Sequence, residues 1–186
     1  MGPYGGTNPA PAPTLDTPLW AFSLAVYGAE GVASECLDLQ ERFKLDVNLL
    51  LFAAYAGAVE GIQLNAQDVA DAAAAVSAWH AEIVRALRSV RRGLKPVSLD
   101  DGNPLHPAAA SLRAQVKTAE LKAEKIELAM LWLWSRQHLA GRTRGDAGAA
   151  LAANLRALLA HFGAPEGSAA PAKLRIAALA FDGSKS

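Results

Sequence analysis

Two long stretches of this chain repeat their apolar residues by fours and threes, and no other feature limits the possible folds as tightly. The first runs through Val69, Ala73, Val76, His80, Ile83, Leu87, Val90 and Leu94. The second runs through Leu112, Val116, Ala119, Ala123, Ile126, Met130 and Leu133. That spacing lines residues along one stripe of an α-helix, whereas a strand would alternate them between two faces. Between the stretches lies a polar loop with Asp100, Asp101, Gly102 and Pro104. Two rods with narrow seams and a short connection predict an antiparallel hairpin formed by the fourth and fifth helices.

The remaining elements are also helical in pattern. Thr17 before Pro18 predicts an N-capped helix over 18–27, and Gly28 and Gly31 bracket a break before a second helix over 32–43. Asp46 is placed to cap a third, 47–58, which is apolar on nearly every side and so belongs at the centre of a bundle. Gly57 and Gly61 are read as its end. Asn65 caps the fourth helix, with Asp68 in its first turn, and Gly93 and Pro96 are read as its terminators. Asp146 caps a sixth helix reaching about Phe162. Hydrophobic residues make up 52% of the chain, much of it alanine, with 6% aromatics and no alternating β-branched run. The expectation is therefore an all-α, single-domain bundle of about six helices over 17–163. A disordered leader over 1–16 precedes it, and a tail over 164–186 with a short helix near 172–180 follows.

Charge and motifs exclude more than they assign. Lys+Arg and Asp+Glu both number 18, so no long-range field draws the chain to nucleic acid or anionic lipid. The lone cysteine, Cys36, has no internal partner and suggests a reducing compartment. Residues 1–13 lack the cationic and apolar regions of an export signal, and the apolar run 49–59 is too short to span a bilayer. Phosphate-cradling glycine loops and Gly-x-Ser-x-Gly are absent. The four histidines are scattered and no Glu-x-x-His pair occurs, so spacing offers no metal framework and no cofactor is expected. Asp68-Val-Ala-Asp71 reads as a helix start rather than half of a diphosphate site. The helix-turn-helix geometry of 37–58 would present an oily second helix to a groove, which excludes sequence-specific DNA reading.

Three residue groups stand out. His80 interrupts an apolar seam, and the hairpin brings Arg85, Glu120 and Glu124 to its level, with Asn48 as a further contributor. A carboxylate pair beside a histidine suits acid/base work or a metal ion, or simply salt-bridges two helices, the more economical reading. Arg88, Arg91, Arg92 and Lys95 form a basic patch able to meet phosphates nonspecifically. Trp132 and Trp134 lie about 200° apart on one helix. With Leu131 they mark either an interaction patch or a helix sandwiched between two others.

The run Leu19-Trp20, Phe22-Ser23-Leu24, Tyr27, Cys36-Leu37 and Leu45-Asp46-Val47-Asn48-Leu49-Leu50-Leu51-Phe52 resembles the signature of a small proteobacterial family. It continues through Trp79, Leu87-Arg88, Arg91-Arg92 and the Glu120–Glu124 region, covering about residues 18–135. That family is known only as a domain of unknown function. The resemblance implies a bacterial cytosolic protein and supplies no catalytic residues. The leading expectation is a non-catalytic interaction or accessory protein of the cytoplasm, self-associating as a homodimer. The alternative is a small-molecule-binding protein or enzyme with its site at the seam. Nonspecific nucleic-acid binding comes third.

Overall fold

The structure is a computed structural model and describes residues 14–183. Residues 1–13 of the expected leader lie outside it. Among the described residues all regular structure is helical. Helices α1 (Pro18–Tyr27), α2 (Val32–Phe43) and α3 (Val47–Ala58) come first. A long rod follows, formed by α4 (Ala66–Trp79), a π turn (His80–Val84), α5 (Arg85–Gly93) and α6 (Lys95–Ser98). Then come α7 (His106–His138), α8 (Ala147–His161) and α9 (Ala172–Leu179). Among the described residues, no helix is long and apolar enough to cross a membrane.

Local chemistry sets the starts. The Thr17 hydroxyl accepts from the Trp20 N–H, and the Asp146 carboxylate accepts from that of Ala149. Asn65 and Asp68 cap α4 reciprocally, each side chain accepting from the other's backbone N–H. Helix ends differ from expectation in two places. Gly93 and Pro96 do not stop the rod, because Leu94 keeps right-handed helical angles and proline is tolerated at the first turn of α6. Gly57 lies inside α3, where a Cβ would sit 2.5 Å from the Leu151 backbone, so it permits contact with α8.

Helix α3 is buried from Asn48 to Gly57 and forms the centre, as its all-round oiliness requires. Its principal neighbour is α8, supplemented by α7, α1 and α9. It is therefore not enclosed mainly by the hairpin. Phe22, Phe52, Leu50, Leu131, Leu155 and Leu174 make up the innermost packing, the last contributed by α9. Asn154 sits among them, fully buried. Its Oδ1 accepts from the Leu64 N–H at 2.7 Å, while Nδ2 donates to the Ile62 and Ala53 carbonyls at 2.9 and 3.1 Å. These bonds pin the segment joining α3 to α4.

The rod and α7 pack together, but on shifted stripes. In the π turn the Arg85 N–H bonds the carbonyl of His80, five residues back, which inserts one extra residue. Beyond it the seam passes to Val84, Arg88 and Arg91, leaving Ile83 and Val90 exposed. On α7 the buried line is Glu120, Ala123, Glu127, Leu131 and Trp134, one position on from Ala119, Ile126 and Leu133. The chain reverses through two successive turns over 100–106, the first spanning Asp101 and closed by the Asn103 N–H on the Asp100 carbonyl, the second by the His106 N–H on that of Asn103. The inner stripe of the hairpin is consequently ionic over half its length.

Candidate functional site

Helix α2 ends at Lys44, whose positive φ of 56° makes it the one described non-glycine residue in the left-handed region. This sharp turn delivers Asp46 to the start of α3, where its Oδ1 accepts from the Asn48 N–H at 2.9 Å. The side chain of Asn48 turns the other way and donates from Nδ2 to Glu127 Oε2 at 3.0 Å. His80, at the start of the π turn, faces the two remaining oxygens. Its Nδ1 lies 3.2 Å from Asp46 Oδ2 and 3.1 Å from Glu127 Oε1. Glu127 is fully buried and Asp46 nearly so.

Burial and the Glu127 carboxylate push the Asp46 carboxyl well above the usual range, against the pull of His80. Burial also disfavours ionised Glu127. Hydrogen bonds from His80, Asp46 and Asn48 reverse that and hold it below its ordinary value. For His80, burial disfavours the imidazolium, but the two carboxylates outweigh it and raise its pKa.

Two turns along the rod from His80, Arg88 gathers three partners. Its Nε donates to Glu120 at 3.1 Å, Nη2 to Glu124 at 2.7 Å and Nη1 to Gln40 Oε1 at 2.9 Å. Arg91 closes on Glu120 from the other side. Burial would raise Glu120, yet hydrogen bonds and charge from Arg91 and Arg88 hold it below its ordinary value. Glu124 is the reverse case, with burial outweighing Arg88 so that its pKa rises.

A depressed carboxylate pKa stabilises the fold above the unfolded-state value and loses that stabilisation as acid protonates the folded form. The native chain is therefore expected to lose stability below about pH 4.5, the ordinary glutamate value, partly through Glu120. Replacing Glu120 with glutamine should flatten that acid limb in urea-melt midpoints measured from pH 6 to pH 3. Parallel acid limbs in the two proteins would contradict the assignment.

Beside this seam lies a cavity of about 520 Å³ between α1, α2, the start of α3, α5 and α7. Trp20, Leu24, Leu37 and Leu121 give it apolar walls, and Arg88, Asn48 and Gln40 line it together with the carboxylates of Asp46, Glu120 and Glu124, the last two paired with Arg88. Ser23 also lines it, 3% exposed, and its hydroxyl has no hydrogen-bond partner among the described residues. At the rim, Arg92 and Lys117 are exposed and have no ion-pair partner among the described residues. A wider cleft of about 970 Å³ lies on the other side, lined by His80, Arg85 and His161. Asp46 and Arg88 border both spaces.

Of the residues singled out by sequence, His80, Asn48, Glu120 and Glu124 do gather at the seam. Arg85 does not join them: the π turn rotates it outward to the wide cleft, and Arg88 takes its place. The basic patch is divided, because Arg88 and Arg91 are spent on carboxylates while Arg92 and Lys95 remain exposed. Leu131 is fully buried and Trp134 is 8% exposed. Trp134 meets Phe52 edge-on and stacks on His138, and Trp132 is partly buried against Tyr55 and Arg136. Those three are thus the sandwiched helix of the plainer reading, not an exposed patch.

Sequence reasoning missed Asp46 and Glu127 as site members, reading Asp46 only as a helix cap. A signal was present: Glu127 falls at heptad spacing from Glu120. Ser23 and Gln40 carried none.

A family model described as a protein of unknown function (DUF2390) matches residues 18–131, a stretch holding every residue of this site. No curated protein and no solved structure matches the chain.

Proposed function

The chain belongs to the DUF2390 family of unknown function, and we propose that it is a small-molecule-binding protein whose ligand is an amphiphilic organic anion. The observation that carries this reading is the Ser23 hydroxyl. A buried hydroxyl without a partner is costly, and natural folds retain few of them without a ligand or water to satisfy them. This one lines a cavity with apolar walls and a cationic rim, a combination suited to an apolar body carrying one acidic group. The accessory-protein reading drew on the lack of catalytic motifs and on an aromatic face of which Leu131 and Trp134 are buried and Trp132 partly so. The nucleic-acid reading keeps only half of its basic patch.

Anilinonaphthalene sulfonate, an aromatic anion of suitable size, tests the proposal. Saturable binding at one per chain is expected. The double substitution Arg92→Ala, Lys117→Ala should weaken it about tenfold, or about 1.4 kcal/mol. Neutral N-phenylnaphthylamine should bind both proteins alike. Binding that is unsaturable, or indifferent to the rim, counts against an anion site.

A further inference from the structure

The trio at the head of α3 has a second property, independent of the anion cavity. We propose that Asp46, His80 and Glu127 form a binding site for a first-row divalent transition cation, with Nδ1 of His80, Oδ2 of Asp46 and Oε1 of Glu127 as donors.

The three donor atoms lie within 4.8 Å of one another, on three separate segments. His80 Nδ1 is 3.1–3.2 Å from each carboxylate oxygen. Neighbouring donors on a cation with bonds of about 2.0–2.2 Å are roughly 3 Å apart, so little movement is needed to close on an ion. Those distances also suit hydrogen bonds, and three further features favour the ion. The first is orientation. Asn48 holds one oxygen of each carboxylate, through its N–H on Asp46 Oδ1 and its Nδ2 on Glu127 Oε2, the latter also lying 3.4 Å from His80 Nδ1. Outer-sphere hydrogen bonds of this kind fix metal-ligating groups in productive rotamers.

The second feature is charge. Two adjacent carboxylates buried beside one half-buried imidazole make an expensive group for a scaffold that needs only a helix cap. A divalent cation neutralises both and leaves the imidazole neutral, as a ligand must be. The third is access. Asp46 borders both cavities and His80 the wider one, so water or a substrate group can complete the coordination. One nitrogen and two oxygens with open positions fit a borderline cation such as Zn²⁺, Mn²⁺ or Co²⁺, and resemble a catalytic site rather than a closed structural one. The π turn supplies the backbone irregularity that aims His80 at the pair.

Cobalt(II) alone, titrated into the full chain, tests this. One equivalent is expected to bind, with visible d–d absorption, and Mn²⁺ should broaden the His80 imidazole resonances before those of His106, His138 and His161. Asp46→Asn keeps the cap and a donor toward Glu127 while removing an anionic ligand oxygen. The variant should melt at or above the native temperature without metal, yet bind cobalt at least 100-fold more weakly. Glu127→Gln should weaken it similarly. The Arg92→Ala, Lys117→Ala protein should bind cobalt like the native chain, so this test and that of the anion site fail independently. Absence of stoichiometric uptake, binding that persists in both carboxylate variants, or broadening of another histidine first overturns the assignment.

Discussion

Replacing Arg88 with methionine is expected to cost about 2–4 kcal/mol of stability and to abolish anion binding in the adjacent cavity. Methionine retains much of the apolar stem, so the effect reports the guanidinium rather than lost packing. Glu120 keeps Arg91, but Glu124 and Gln40 lose their cationic partner in a half-buried setting. At this chain length the loss corresponds to a fall in melting temperature of roughly 5–15 °C by circular dichroism. The deficit should also depend on pH. The Glu124 pKa is already raised and will rise further without Arg88, so protonation offsets part of the damage. Stability lost to a raised carboxylate pKa returns as pH falls through the folded-state value, so the gap between variant and native chain narrows from pH 8 toward pH 5. Changing Arg88 and Glu124 together to apolar residues should be far less damaging than Arg88→Met alone, since Glu120 keeps Arg91 and no charge is then left unpaired. A single variant as stable as the native chain would show the seam to be electrostatically idle.

The second large effect lies across the core. Asn154→Ala is expected to cost about 3–5 kcal/mol, the sum of a small cavity and stranded backbone groups. The Leu64 N–H loses its only described acceptor, and the Ile62 and Ala53 carbonyls lose donors, all where water has no ready access. The segment they hold joins the helix that carries Asp46 to the one that carries His80. Loosening it should therefore weaken cobalt binding as well as lower the midpoint of urea unfolding. An unfolding midpoint unchanged within error would mean that the chain re-satisfies these groups another way.

Much of the fold was legible because it depends on local chemistry. Thr17, Asp46, Asn65 and Asp146 each mark a helix start where the structure has one, since capping is decided within four residues. The burial of α3 was equally legible, since a helix oily on all sides has no solvent face. The seam was not. Ranking side chains by hydrophobicity selects Ala119, Ile126 and Ile83, whereas the buried line runs through Glu120, Glu127 and Arg88. Periodicity leaves the phase of a stripe uncertain by one residue, and a charge is tolerable inside only when an opposite charge from a distant segment meets it. The π turn added a further shift that no residue pattern announces.

The order of residues alone determined the helical class, the capped starts and the greasy centre, because each follows from interactions within a few positions along the chain. Tertiary structure decided which face of each rod turns inward, and so brought together Asp46, His80 and Glu127 from three separate segments. Pairing energy between buried charges depends on distance in space, which position along the chain does not encode.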